Sequence, residues 1–301
     1  MKKFVFKILL FVLISLSIYV PIAVWVLPDI ITIIQGPSTL QQIEKSFQNA
    51  AEREYELVIL GNSGSYRGLN PEKFELTSYN FSHDNDTYNQ IYHKLKWLEK
   101  KDKKIKYLIL SVDYFQFSYL ASNRNYAYNL YFNKSYKNDY MNIPLVQFTG
   151  QYNLLEPNRL KYLRDVKQER TKEIYLKENG QYVYPGQANE SDTYEYDINR
   201  LPLQEEYFKE VLAHCKNKNI EVFLCMPPCR KNALENYSSK EMNEFNEFIN
   251  SNTSVTVHYL NYAHQKGWKL ADFTDITHLN ERAADLFSKQ VSDSIVAIIK
   301  E

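Results

Sequence analysis

The sequence predicts an α/β fold: a three-layer α/β/α arrangement around a five-stranded parallel sheet, behind an N-terminal transmembrane helix. Three observations predict it. Short, continuously apolar runs alternate along the chain with stretches of helical period, the rhythm of a parallel sheet between helix layers. The first of these runs, Leu57 to Leu60, enters a small glycine-flanked turn that holds Ser63. Near the amino terminus lies an uncharged run about as long as a bilayer core is thick.

That run extends from Ile8 to Leu27, behind Lys2, Lys3 and Lys7. At about 1.5 Å per residue it spans about 30 Å as a helix. The cationic flank favours the cytoplasmic side, which puts the rest of the chain outside the cell membrane as the domain of a single-pass protein. A cleaved signal peptide is the competing reading. The run is long for one, and Pro28-Asp29-Ile30 follows it rather than an Ala-x-Ala site. The expected organisation is an anchor over 1–28, a juxtamembrane segment with a helix over 29–56, and one α/β domain over 57–301.

Composition narrows the function. Basic and acidic residues are equal at 36 each, so no basic excess points to nucleic acid and no acidic tail to a disordered arm. The 25 tyrosines supply amphipathic surfaces suited to stacking on sugars, although an ordinary core with biased composition gives the same count. Three cysteines, at 215, 225 and 229, cannot form a complete disulfide framework. Cys225-Met-Pro-Pro-Cys229 is neither a redox Cys-x-x-Cys nor a zinc set, so no metal or cofactor is expected.

The elements follow in order. Pro37-Ser38-Thr39 starts a helix with the apolar stripe Leu40, Ile43, Phe47 and Ala51, expected to hold the domain close to the membrane. Leu57 to Leu60 is the first strand and Ser78 to Phe81 the second. Asp86 to Lys100 is a helix capped by Asn85 or Asp86, with Tyr88, Ile91, Tyr92, Leu95 and Leu98 facing inward. Ile105 to Val112 is the third strand and ends at Asp113-Tyr114. About 115–201 breaks the rhythm. It reads as an insertion with its own helices and a hairpin near Tyr182 to Tyr184, laid over the sheet's active rim. Then come a helix over Gln204 to Lys216, a strand over Ile220 to Cys225, a helix over Ser239 to Asn250 opened by Ser238 and Glu241, a strand over Val255 to Tyr259, and a closing helix over Glu281 to Ile299.

In open α/β sheets, reactive groups sit past the carboxyl ends of strands. Val58-Ile59-Leu60-Gly61-Asn62-Ser63-Gly64-Ser65 puts Ser63 there, with glycines that let a substrate approach its backbone. Taken alone, this is also an ordinary βα turn. A nucleophilic serine needs a base, and the base an orienting carboxylate. Asp272-Phe273-Thr274-Asp275-Ile276-Thr277-His278-Leu279-Asn280 supplies both, at a three-residue spacing that lets Asp275 meet one imidazole nitrogen of His278 while the other faces outward. Arg67, one turn past Ser63, is a surface arginine or a contact for an anionic group on a substrate.

These two stretches resemble the SGNH (GDSL-type) hydrolases. Gly61-Asn62-Ser63 matches their first block and Asp275-Ile276-Thr277-His278 their last, in the right order. The resemblance covers about Leu57 to Glu301, strong at the two ends and thin in the middle. It implies the SGNH, flavodoxin-like sheet and a Ser63–His278–Asp275 triad. His278 would take the Ser63 proton, Asp275 would fix the imidazole, and an acyl-serine would pass to a sugar hydroxyl or water. Backbone N–H groups of Ser63 and Gly64 would begin an oxyanion hole. The family completes it with a block-two glycine and a block-three asparagine. This chain has Asn80-Phe81-Ser82-His83-Asp84-Asn85 and Ser111-Val112-Asp113-Tyr114 there. An anionic Asp113 cannot donate to an oxyanion, and one missing donor costs about 3 kcal/mol. The wording Gly-Asn-Ser-Gly-Ser-Tyr-Arg-Gly-Leu-Asn-Pro looks more like the membrane-anchored acyl-transfer branch, with its polysaccharide O-acetylation and teichoic-acid D-alanine transfer proteins. That branch implies an enzyme of the cell envelope, a membrane-bound O-acyltransferase as partner, and a cell-surface polysaccharide or teichoic acid as acceptor. A non-catalytic glycan-binding scaffold on the same fold is the rival expectation.

Overall fold

The computed structural model describes residues 2–22, 39–119, 128, 131–132, 175–183, 186–192, 198–235 and 237–301. Helix α1, Lys2–Pro21, is long and apolar enough to cross a membrane, and none of it is buried by the rest of the chain. The end of the expected run, 23–27, lies outside the described residues, as does the Pro37-Ser38 start signal.

A five-stranded, all-parallel sheet forms the centre of the domain. Its strands are β1 (Leu57–Leu60), β2 (Ser78–Asn80), β3 (Tyr107–Ser111), β6 (Glu221–Met226) and β7 (Val257–Asn261), in the order β2-β1-β3-β6-β7. The chain starts near the middle, winds outward to β2, then crosses back and winds to β7. That reversal makes a crevice at the carboxyl ends of β1 and β3. Parallel strands covered on both faces are continuously apolar, and β1 is buried along its whole length.

Alternate side chains go to the two faces. Val58, Leu60, Leu108, Leu110, Val222 and Leu224 pack beneath four helices: α2 (Thr39–Glu52), α4 (Tyr88–Lys100), α5 (Pro202–Asn217) and α7 (Ser239–Asn250). Leu57, Ile59, Ile109, Phe223 and Cys225 face α8 (Glu281–Lys300), which contributes Ala283, Ala284, Phe287, Val291 and Ile295. The expected three layers are therefore present.

Several local expectations change. Helix α2 does not stand apart as a membrane tether. Phe47 is buried against Phe81 and Trp97 with ring centroids 4.8 Å away in each case, so this helix belongs to the core. Helix α4 begins two residues later than expected, after Thr87, whose N–H is taken by Gln90 Oε1 at 2.9 Å. Asp86 is instead committed to a buried ion pair with Lys94. That commitment is why the polar pair at 85–86 misleads as a cap. Tyr92 is only half-buried, while Lys94 is wholly enclosed, so α4 is surrounded rather than striped. Helix α7 starts as expected, with Ser238 and Glu241 closing a capping box. Cys215, Cys225 and Cys229 are all free.

Most of the irregular stretch, including Tyr184, lies outside the described residues. Its described part includes an antiparallel hairpin, β4 (Tyr175–Leu176) and β5 (Tyr182–Val183). Gly180 sits in its turn at φ 89°, where a Cβ would lie 1.9 Å from Asn80 O. The hairpin is thus pressed onto the end of β2, and Asn80 N donates to Asn179 O at 3.0 Å.

Candidate active site

Ser63 opens α3 (Ser63–Gly68), a short helix springing from the end of β1. Asn62 is its N-cap and accepts from Gly64 N at 3.0 Å. The far end of α3 is held by Asn80 from β2, whose amide donates to Ser65 O and Leu69 O, both at 2.8 Å. Gly61 is required by packing: a Cβ there would lie 2.2 Å from Ser111 Cβ on β3. Its role is close approach of two strands, which replaces the expectation that it admits substrate.

The base arrives on the loop before α8. A single antiparallel bridge pairs Phe273 with Leu279, and Thr274 N donates to His278 O at 2.8 Å. Inside this closed turn, Asp275 Oδ1 accepts from Thr277 N and His278 N, each at 2.9 Å. His278 Nδ1 lies 2.7 Å from Asp275 Oδ2, and Nε2 lies 2.7 Å from Ser63 Oγ. With Nδ1 held against a carboxylate it carries the proton, and Nε2 is left to accept from the hydroxyl. Burial works to raise the Asp275 carboxyl, but the hydrogen bond and charge of His278, with the two backbone N–H groups, hold it well below the usual carboxylate range. Asn280, next along, caps α8 by accepting from Ala283 N at 3.0 Å. The chain therefore brings Ser63, His278 and Asp275 into hydrogen-bonding sequence across one sheet edge.

The other candidates fall elsewhere. Gly64 N, proposed for an oxyanion hole, is occupied by Asn62 Oδ1. Asp113 backs that same asparagine: its Oδ2 accepts from Asn62 Nδ2 at 2.5 Å and its Oδ1 from Gln116 N at 2.7 Å. Burial pushes the Asp113 carboxyl up to about 6, against the lowering effect of those bonds. Tyr114 is buried between Tyr237 and Phe245, with ring centroids 5.3 and 5.0 Å distant. Arg67 is not a loose surface residue, since its side chain is 15% exposed and forked onto Asp84 at 3.2 to 3.3 Å.

Sequence reasoning missed Asn62, Asp84 and Asn80. The first had a usable signal, an asparagine immediately before a helix start. The other two act across 17 and 15 residues, where spacing carries no signal. Further along the same sheet edge, the segments after β6 and β7 enclose a cleft of about 530 Å³, with Arg230, Lys231, His264, Lys266, Trp268 and Phe273 in its lining. Among the described residues, no cluster of three or more His, Cys, Asp or Glu side chains could hold a metal ion.

No family model matches the chain, and no curated protein sequence matches it. Among solved structures, it is similar to a family two carbohydrate esterase from Clostridium thermocellum in complex with cellohexaose, at a TM-score of 0.36 and 7% identity. The match covers 82% of this chain and 66% of that one, just under two-thirds of its length. No functional conclusion follows from a likeness this remote.

Proposed function

We propose that the protein is a membrane-anchored serine O-acyltransferase or esterase of the cell envelope. It would move acetyl or D-alanyl groups on or off a cell-surface polysaccharide or teichoic acid. The observation that supports this reading is the 2.7 Å contact of Ser63 Oγ with His278 Nε2, in line with the 2.7 Å contact of His278 Nδ1 with Asp275. In this reading His278 removes the Ser63 proton as the hydroxyl attacks an acyl carbonyl, and Asp275 steadies the imidazolium that forms. The leaving group takes that proton, and an acceptor hydroxyl or water repeats the cycle in reverse. The cleft beside β6 and β7 would receive the acceptor. A membrane-bound O-acyltransferase would supply the acyl group, and helix α1 would keep the two proteins in one membrane with the domain on the outer side.

The test is turnover of an acetyl ester, with labelling of Ser63 by a fluorophosphonate, in wild type and Ser63→Ala. Labelling and turnover in wild type, with loss of both by at least a hundredfold in the variant, is the expected result. Equal activity in the two proteins would falsify the proposal. A second reading, a glycan-binding scaffold without catalysis, is favoured by one observation: Gly64 N is spent on Asn62, which thins the oxyanion hole. It predicts no labelling of Ser63 and glycan binding that survives Ser63→Ala.

A further inference from the structure

Arg67 lies beside the Asp275–His278 pair in a way that substrate binding does not explain. Its Nη1 is 3.4 Å from His278 Nδ1 and 3.8 Å from Asp275 Oδ2. Since Nδ1 already gives its proton to Asp275, it cannot also accept from a guanidinium. Arg67 and His278 therefore approach the same carboxylate as two donors. The arginine is fixed from behind: Asp84 takes Nε and Nη2, Tyr182 of the hairpin lies with its ring centroid 5.8 Å from the guanidinium carbon, and Gln181 Nε2 donates to Arg67 O at 3.1 Å. Asp84 belongs to the loop after β2. Lys94, fully enclosed, pins that loop by donating to Phe81 O at 2.6 Å and pairing with Asp86. The charges alternate along one line: Asp84, Arg67, Asp275, then His278 and Ser63.

We propose that Arg67, held by Asp84, is a positioning residue for the Ser63–His278–Asp275 relay, and sets how readily His278 takes up a proton. The proposal rests on the relay reading given above. A fixed cation near the imidazole opposes the positive charge that His278 acquires when it acts as a base. Asp84 moderates that cation. The groups facing His278 are Asp275 from its own loop, Ser63 and Arg67 from α3, and Asp84 behind Arg67. Removing Arg67 should make His278 easier to protonate. Neutralising Asp84 should do the opposite, and removing both should nearly cancel.

The experiment follows the His278 imidazole by NMR in the full chain in detergent, assigned by the signal lost in His278→Gln, alongside the pH dependence of Ser63 labelling. In Arg67→Met, the titration midpoint and the acid limb of labelling should both move up by about one pH unit. Asp84→Asn should move both down, and the double variant should return near wild type. Arg67→Lys should hold the midpoint near wild type while slowing labelling, because it keeps the charge and loses the fork. An unchanged midpoint in Arg67→Met, or shifts of the same sign in the two single variants, would overturn the assignment. Should Arg67→Met fail to fold, an unchanged or raised midpoint in Asp84→Asn overturns it equally. Absence of Ser63 labelling at every pH in wild type would instead sink the acyl-transfer reading, and the NMR titration would still decide the role of Arg67.

Discussion

At the carboxyl end of β3, Asp113 accepts from Asn62 and Gln116, and burial pushes its carboxyl up to about 6. The folded chain then holds a proton on Asp113 that the unfolded chain releases near the ordinary value of 3.8. Stability from this group is fully present below that value and is lost as pH rises through about 6. Asp113→Asn should abolish that slope. Denaturant unfolding of both proteins across the window should show a difference that changes by up to about 3 kcal/mol and then levels off. No such dependence could be read from the sequence, where Asp113 stands only as an acid at a strand end. What was legible was Ser63 beyond an apolar strand and Asp275 three residues before His278, because both patterns are local. The Asp84 fork on Arg67 was not, because it joins two loops that only the folded sheet brings side by side.

Helix α3 shows how an element depends on its neighbours. It is too short to be stable alone, and its last carbonyls are satisfied by the Asn80 amide. Asn80→Ala should cost about 2 kcal/mol in chemical denaturation by removing those two bonds from a buried site. It should also slow Ser63 labelling more than it changes the bulk fold, since α3 carries the serine. Unchanged labelling would mean that β1 and the Asn62 cap alone suffice to aim the side chain. Element types were legible wherever the apolar pattern was long and capped, as in α7 with Ser238 and Glu241 and α8 with Asn280. Boundaries failed where a polar residue had a tertiary duty, as Asp86 has with Lys94. The reading of α2 as a segment outside the α/β domain changes for a similar reason. Its stripe is equally suited to a core, and Phe47 finds that core in Phe81 and Trp97.

For the whole molecule, α1 is a 20-residue apolar helix with none of its residues buried against the rest. A membrane preparation should retain the full chain through alkaline carbonate washing and release it only to detergent. Added protease should reach 57–301 from the outer side; release by carbonate would argue for a processed leader instead. The sheet carries a second consequence, for the order of events during synthesis. Strands β3 and β6, paired side by side, are separated in sequence by everything from 112 to 220. Ser63 and His278 stand 215 positions apart. Contacts this distant form late, because the intervening chain must first be gathered in. A growing polypeptide therefore carries Ser63 without its imidazole partner until the final loop arrives, and on the acyl-transfer reading the serine would stay unarmed until then.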